Sequence, residues 1–386
     1  IVTTHFDYHS IDHNLLKLDI LGHDDPTMIR MLQDLTGRDP LTIPLDGKDV
    51  MSLFQNTEAL GITPEQIGGT RLGCLGIPEF GTDFAMAMVI EAQPKSFSDL
   101  VRISGLSHGT NVWVGNAQDL IRDGIATIST CVCTRDDIMT YLINKGVEPE
   151  KSFKIMEAVR KGMVAKGKTP AEQWKAWKED MTAHDVPDWY IKSCEKIEYM
   201  FPKAHAAAYV MMAWRIGYCK IHYPLAYYGA FFSIRAKAFS YALMCRGQAH
   251  MEAIMKEYKR RMDAVANKEV GAEPLSNKEE LAYGDMRVVQ EMYARGYEFE
   301  PIDIFRAQSR SFQIVGDKLM PSLSSIDGLG EKAADAIVEA AKDGPFLSKD
   351  DFRERTRVSK NIVDMIAELG LLGDLPESNQ LSLFDL

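Results

Sequence analysis

The chain has 386 residues and a net charge of −11, and this acidic balance argues against a protein that coats nucleic acid through its overall charge. Apolar residues make up 46% of the sequence, so the chain can bury sizeable cores in two or three domains. The six cysteines are scattered and no apolar run is long enough to cross a membrane, so we expect a cytoplasmic protein with reduced thiols. Because the chain opens on Ile1, we also expect a fragment of a longer polypeptide.

The first 22 residues are predicted to be extended, because Ile1–Phe6 is rich in β-branched side chains and Leu15–Leu21 is largely apolar. Asp19 lies in the second run, where a carboxylate is costly unless it is paired, hydrogen-bonded or bound to a metal. One carboxylate does not suffice for the two metal ions that phosphoryl transfer uses. Taken alone, the segment favours the simpler interpretation that Asp19 faces solvent at a strand end.

A helix is predicted to begin at Asp25-Pro26, since proline suits the first helical turn. The pattern then stays mostly helical to about residue 237, with helices predicted at 26–36, 49–55, 83–92, 135–145, 151–164, 170–182, 187–199, 204–221 and 225–237. It continues with a helix at 239–262, a loop at 267–277, a helix at 278–295, short strands at 296–320 and two helical hairpins at 322–374. The predicted fold class is therefore α+β and mostly α-helical.

Two polar segments of the helical region are candidates for ligand binding. One is the stretch Ser107-His108-Gly109-Thr110, which is predicted to be a polar loop between helices and a pocket wall. The other is the run 151–168, which is dense in Lys and Arg and includes Arg160 and Lys161. Such a density suits a triphosphate or a DNA backbone, although a charge run is more often an ordinary solvated helix face.

The segment Phe201–Tyr209 is predicted to begin a helix with small residues that permit close approach of a neighbour or ligand. Lys203 and His205 lie at its N-terminal end, where the helix dipole favours a phosphate. A lone histidine beside alanines is, however, more often simply packed.

The segment Ile326–Ile337 resembles a helix-hairpin-helix. Its glycines allow a tight hairpin whose backbone N–H groups can bind one DNA phosphate, with a lysine nearby, and the residues concerned are Gly328, Leu329, Gly330 and Lys332. Such contacts bind the backbone of a duplex and do not select a sequence. The alternative is an ordinary packing hairpin, which is also the interpretation favoured for the glycine-free hairpin at 358–362.

The chain ends in a segment that follows a Pro/Glu/Ser/Asn stretch and is predicted to be a free tail. Its spacing of glutamine, leucine and phenylalanine resembles the peptide by which bacterial DNA-handling proteins bind the ring-shaped sliding clamp, through Gln380, Leu381, Leu383 and Phe384. A frayed terminus with incidental apolar residues is the alternative.

Taken together and in order, these segments resemble the C-family bacterial replicative DNA polymerases. The resemblance rests on Asn14–Gly22, Arg160–Met163, Phe201–Tyr209, Ile221–Pro224 and Ile326–Gly330, and it covers nearly the whole chain. The ordered set is specific, although no single segment is. Because only a short tail follows the hairpins, the layout is similar to the C-terminal portion of the PolC type of low-GC Gram-positive bacteria.

The resemblance implies a role for each candidate residue. Asp19 would be the third catalytic, metal-binding carboxylate of a site with two Mg²⁺ ions, whose other two carboxylates are not in this chain. Arg160, Lys161, Lys203 and His205 would bind the triphosphate of the incoming nucleotide, and Ser107, His108 and Gly109 would lie near its base or sugar. This chain departs from relatives in having Arg-Lys at 160–161 where they have Arg-Arg, and a Ser-His-Gly loop where they have Arg-Pro-Gly.

The resemblance also implies an order of domains. The end of a nucleotidyltransferase-like palm would occupy residues 1–25 and the helical fingers residues 26–237. A connecting region would occupy residues 238–317, a helix-hairpin-helix module that holds product duplex residues 318–374, and the clamp-binding tail residues 375–386.

The implied function is template-directed DNA synthesis in chromosome replication, by transfer of a deoxynucleotide from a dNTP to a primer 3′-hydroxyl. The implied partners are primer–template DNA, dNTPs, the sliding clamp (the β subunit) and the clamp loader, in the cytoplasm at the nucleoid and with no membrane partner. The alternative function is a non-catalytic DNA- and clamp-binding accessory protein. A repair nuclease or ligase is disfavoured, because the sequence shows no cluster of acids and no nucleophilic lysine motif.

Overall fold

The computed structural model describes residues 5–11, 14–16 and 22–378. The helices up to residue 222 are α1 Tyr8–Ile11, α2 Asp24–Thr36, α3 Lys48–Ser52, α4 Asp83–Ala92, α5 Phe97–His108, α6 Gln118–Arg122, α7 Arg135–Asn144, α8 Pro149–Arg160, α9 Ala171–Ala183, α10 Asp188–Lys196 and α11 Lys203–His222. Those that follow are α12 Pro224–Ala230, α13 Tyr241–Met244, α14 Gln248–Ala266, α15 Asn277–Ala294, α16 Glu331–Ala341, α17 Lys349–Thr356 and α18 Lys360–Glu368. Two short strands, β1 Gln313–Val315 and β2 Lys318–Met320, pair antiparallel. The mostly helical α+β class is thus confirmed.

Side-chain caps explain where several of these helices begin. The Thr82 hydroxyl accepts a hydrogen bond from the Ala85 amide at the start of α4, and the Ser96 hydroxyl accepts one from the Asp99 amide at the start of α5. Before α7, the Asp137 carboxylate accepts hydrogen bonds from both the amide and the hydroxyl of Thr134, in a capping box.

The larger hydrophobic core is organised around α11, which packs against α2, α3, α5 and α12. Its inward face includes Val210, Ala213, Trp214 and Ile216, all fully or almost fully buried. The Trp214 indole Nε1 donates to the Pro44 carbonyl at 2.8 Å, so the one polar atom of this large side chain is satisfied. The central helix therefore fixes the relative positions of the helices and loops around it.

A buried charged network crosses this core. Lys220 is fully buried, and its Nζ donates to the carbonyl oxygens of Gly73 (2.8 Å) and Leu75 (2.6 Å) and lies 2.8 Å from the Glu291 carboxylate of α15. The Tyr228 hydroxyl also donates to Glu291, at 2.8 Å. Burial lowers the pKa of Lys220, and the negative charge of Glu291 opposes that shift. The network ties α11, α12 and α15 to the turn at 73–76.

A second, smaller core holds the C-terminal helices together. It includes Met320 from β2, Leu329, Ile337 of α16, Phe352 of α17 and Ile366 of α18. Tyr241 of α13 packs against this core, and Lys278 of α15 forms an ion pair with Asp327 at 3.0 Å.

Several predicted elements are corrected by the structure. The stretch 1–22, predicted to be extended, contains helix α1, and most of the predicted strand Leu15–Leu21 lies outside the described residues. The predicted helix 239–262 is divided into α13 and α14, because Gly247 between them has a φ of 98° that a continuing helix does not allow. Helix α5 was not predicted. No helix in the described ranges is long and apolar enough to cross a membrane.

Candidate functional site

The predicted catalytic and clamp-binding residues lie outside the described part of the chain. These are Asp19, the predicted metal ligand, and the tail residues Gln380, Leu381, Leu383 and Phe384. Within residues 5–11, 14–16 and 22–378, no three His, Cys, Asp or Glu side chains are grouped so that they could hold a metal ion. The candidate site within these ranges is therefore formed by the predicted nucleotide-binding residues.

Ser107 and His108 form the last turn of α5, not the loop that the sequence predicts. The Ser107 hydroxyl donates to the Ser104 carbonyl at 2.9 Å, and His108 Nδ1 lies 2.8 Å from the same oxygen. Because a carbonyl oxygen only accepts hydrogen bonds, Nδ1 is the donor in this contact. The imidazole is thereby held back against its own helix, with Nε2 turned away from it.

Gly109 follows directly and lets the chain pass close to a second segment. A Cβ at this position would lie 3.0 Å from the Tyr199 carbonyl oxygen and would overlap the Val112 side chain. Next to it, the Thr110 amide donates to the Tyr199 carbonyl at 2.9 Å, and the Glu198 amide donates to the Thr110 carbonyl at 3.1 Å. Residues 107–110 are therefore joined to the segment 198–201 through the backbone.

A row of aromatic rings extends from His108 along the start of α11. The His108 and Phe201 rings stack at 4.7 Å, Phe201 meets His205 edge-on at 4.7 Å, and His205 stacks on Tyr209 at 4.3 Å. Desolvation by this packing lowers the pKa of His205. The structure thus brings together two predicted nucleotide-binding residues, His108 and His205, that are 97 positions apart in the sequence.

The predicted cations Arg160 and Lys161 lie on the other side of the segment 198–201. The Met200 amide donates to the Arg160 carbonyl at 3.2 Å, so the end of α8 is also joined through the backbone. Both side chains pair with Glu157, with Arg160 Nη2 at 2.8 Å and Lys161 Nζ at 3.0 Å from its Oε2. The hydrogen bond from Arg160 is the main cause that lowers the pKa of Glu157 to about 2.

Lys203 is the third of these predicted cations, and it also pairs with acid side chains. Its Nζ lies 2.9 Å from Asp137 Oδ1, and its amide donates to Asp136 Oδ2 at 2.8 Å. The start of α11, where the sequence predicts a phosphate, is thus bound by a carboxylate of α7. Arg160, Lys161 and Lys203 are thus each paired with an acid, which is Glu157 for the first two and Asp137 for Lys203.

A cavity of about 550 Å³ opens beside His108. Its lining combines an exposed aromatic ring, Phe84, with Ser107, His108, three cations and three carboxylates; the cations are Arg235, Lys237 and Arg287, and the carboxylates are Glu79, Glu280 and Asp285. This volume is in the range of small-molecule sites. Glu79 was missed by the sequence analysis, since an isolated glutamate in a loop carries no pattern.

The predicted DNA-binding hairpin has the expected backbone geometry. Gly328 has a φ of 84°, the Leu329 side chain is buried, and Gly330 is the N-cap of α16, whose first N–H groups have no partner within the helix. Lys332 is exposed in the first turn. These features match the proposed cradle for one phosphate.

The second hairpin repeats this backbone without glycine. Arg357 has a φ of 56°, Val358 is buried, and Ser359 is the N-cap of α18, in the same order and spacing as Gly328, Leu329 and Gly330. The glycine-free hairpin therefore has the same local geometry, which its sequence did not reveal.

Two segments of this chain match known protein families, and nearly the whole chain is similar to known proteins. Residues 25–185 match the family described as "Bacterial DNA polymerase III alpha subunit finger domain", and residues 296–381 match "Helix-hairpin-helix motif". Over 383 residues, 99% of this chain, the sequence is 54% identical to DNA polymerase III PolC-type of Streptococcus pneumoniae strain D39 and 52% identical to that of Streptococcus pyogenes. The chain spans about a quarter of the length of these relatives, 25% in each case.

Proposed function

Because this chain belongs to the PolC-type family of bacterial DNA polymerase III proteins, we propose that the complete protein containing it synthesises DNA on a template in chromosome replication. In this reaction the primer 3′-hydroxyl attacks the α-phosphate of a dNTP, and pyrophosphate leaves. The observation that best supports the proposal is the convergence of residues 107–110, 160–161 and 203–205 on the segment 198–201.

Within this proposal, Arg160, Lys161, Lys203 and His205 bind the triphosphate of the incoming nucleotide. A triphosphate carries several negative charges. It can therefore displace the carboxylates of Glu157 and Asp137 from these cations, or share the cations with them. Arg160 offers a fork of donors to two phosphate oxygens, while the lysines act as point charges. Ser107, His108 and Gly109 form the wall beside the base or sugar.

We further propose that Asp19 is one carboxylate of a catalytic site for two Mg²⁺ ions. The described residues do not fit such a site by themselves, because they contain no suitable group of acidic side chains. The remaining ligands would come from parts of the protein outside this chain. What the described residues contribute is binding and orientation of the nucleotide.

The other parts of the chain receive roles in the same proposal. Residues 1–25 would end the palm, residues 26–237 would form the fingers, and residues 238–317 would connect them to the hairpin module. Residues 318–374 would hold product duplex, through hairpin N–H groups that contact backbone phosphates whatever the base sequence. Residues 375–386 would bind the sliding clamp. Such a tether raises the effective concentration of polymerase at the primer. In this proposal the protein works at the nucleoid in the cytoplasm, and a clamp loader supplies the clamp.

Primer extension tests this function. The complete protein is given primer–template DNA, Mg²⁺ and four dNTPs, and is compared with its Asp19→Asn variant and with Asp7→Asn as a control at a nearby exposed aspartate. We expect extension by the unmutated protein and by the control, and none by Asp19→Asn, although that variant still binds primer–template.

Two other results would lead to different conclusions. Full extension by Asp19→Asn would remove Asp19 from the mechanism. No extension by the unmutated protein, with DNA binding retained, would instead support a non-catalytic DNA- and clamp-binding accessory protein.

A further inference from the structure

Glu79 has an unusual backbone conformation. Its φ of 68° lies in the left-handed region, which costs energy for a residue with a Cβ. The surrounding turn is tight, since the Gly81 amide donates to the Ile77 carbonyl at 2.9 Å. Glycine would adopt this conformation without strain, so the turn alone does not explain a glutamate here.

The contacts of the Glu79 carboxylate supply a reason for this strained glutamate. Its Oε2 accepts a hydrogen bond from the Ser104 hydroxyl at 3.2 Å and lies 3.5 Å from His108 Nε2. The Glu79 side chain is only 14% exposed, whereas that of His108 is 40% exposed. With Nδ1 donating to the Ser104 carbonyl, the His108 ring lies between its own helix and the Glu79 carboxylate and stacks one face on Phe201.

The charge of Glu79 also acts on His205, across the Phe201 ring. Desolvation lowers the pKa of His205, and the negative charge of Glu79 opposes this shift. The other titratable groups that face His205 are His108 and His23, and both lower its pKa further when they are charged. Glu79 is thus the acid that balances a small cluster of histidines at the candidate nucleotide site.

We infer that Glu79 is a positioning residue for nucleotide binding, which orients the His108 ring. The inference rests on the proposed polymerase function, because it concerns the site for the incoming dNTP. Glu79 itself does not touch the nucleotide; it acts through His108.

Steady-state incorporation of one dNTP by the complete protein tests the inference. Glu79→Gln keeps the acceptor for Ser104 and removes the charge, and Glu58→Gln, at an exposed glutamate outside the candidate site, is the matched control. We expect Glu79→Gln to raise the KM for dNTP about tenfold, through loss of the charged contact with His108, and to leave the Kd for primer–template unchanged. The control should match the unmutated protein.

Two further readouts separate positioning from a merely structural brace. The effect of Glu79→Gln should fall on the KM for dNTP and leave kcat unchanged, because Glu79 acts on nucleotide binding and not on the chemical step. In addition, Glu79→Gln combined with His108→Ala should be no worse than His108→Ala alone. A lowered kcat, fully additive effects, or an unchanged KM would each overturn the inference.

These outcomes are distinct from failure of the proposed function. If the unmutated protein does not extend a primer, the polymerase proposal fails. If it extends normally and Glu79→Gln matches it, only the role of Glu79 is refuted.

Discussion

The buried pair of Lys220 and Glu291 allows a stability prediction that is worked from the structure. Lys220→Met keeps most of the side-chain volume and removes the charge. Among the described residues, it leaves the fully buried Glu291 with the Tyr228 hydroxyl as its remaining side-chain donor, and it removes the Nζ donor from the Gly73 carbonyl. Breaking a buried ion pair on one side in this way costs about 3–5 kcal/mol. We therefore expect a loss of that size in the free energy of unfolding.

Urea unfolding of this chain, followed by circular dichroism, measures that loss. The control is Lys278→Met, which breaks an ion pair with Asp327 whose side chains are 72% and 38% exposed, against 0% for both members of the buried pair. Exposed pairs contribute about 0–1 kcal/mol, so the control should change little. Adding Glu291→Gln to Lys220→Met should restore part of the loss, because no unpaired charge then stays buried. Equal effects of Lys220→Met and Lys278→Met would refute the reasoning.

The remaining predictions concern the site, the hairpin and the tail. Because the pKa of Glu157 is lowered, its ion pairs stabilise the fold fully above about pH 4.5, and this contribution is lost as the pH falls to about 2. The free energy of unfolding of Glu157→Gln should therefore change less with pH across that window. Lys332→Ala should weaken duplex binding uniformly across sequences and lower its salt dependence by about one phosphate contact, as titrations at several salt concentrations would show. Leu383→Ala with Phe384→Ala should shorten products on clamp-loaded templates and spare synthesis on short primers; equal loss in both assays would contradict a clamp-binding tail.

Local patterns in the sequence were sufficient for many helices, because caps and apolar spacing act over a few residues. The helix predicted at 83–92 has the same bounds as α4, which begins after the Thr82 cap. The cations of the candidate site were also predicted, from charge density in the run 151–168 and from the small residues after Lys203. Glu157 lies three residues before Arg160, so its pairing was within reach of the same helical spacing.

The residues that the sequence did not reveal depend on contacts between distant parts of the chain. Lys220 and Glu291 are 71 positions apart, and Lys203 and Asp137 are 66 apart. No periodicity connects such pairs. The left-handed conformation of Arg357 was missed for a different reason. Glycine is the residue that usually indicates such a conformation, and the second hairpin was interpreted as structural because it has no glycine.

The candidate site is assembled through the backbone more than through its side chains, and this explains its glycines. The segment 198–201 forms main-chain hydrogen bonds with Thr110, Arg160 and Arg135. The ends of three separate helices are therefore held at fixed distances from this segment. Gly162 has a φ of 67°, and a Cβ there would overlap the Glu198 carbonyl. Any larger residue at this position would push the end of α8 away from the segment. The spacing between the Arg160 cation and the His108 ring is therefore set by how closely the main chain can approach, which a substitution of either side chain would leave unchanged.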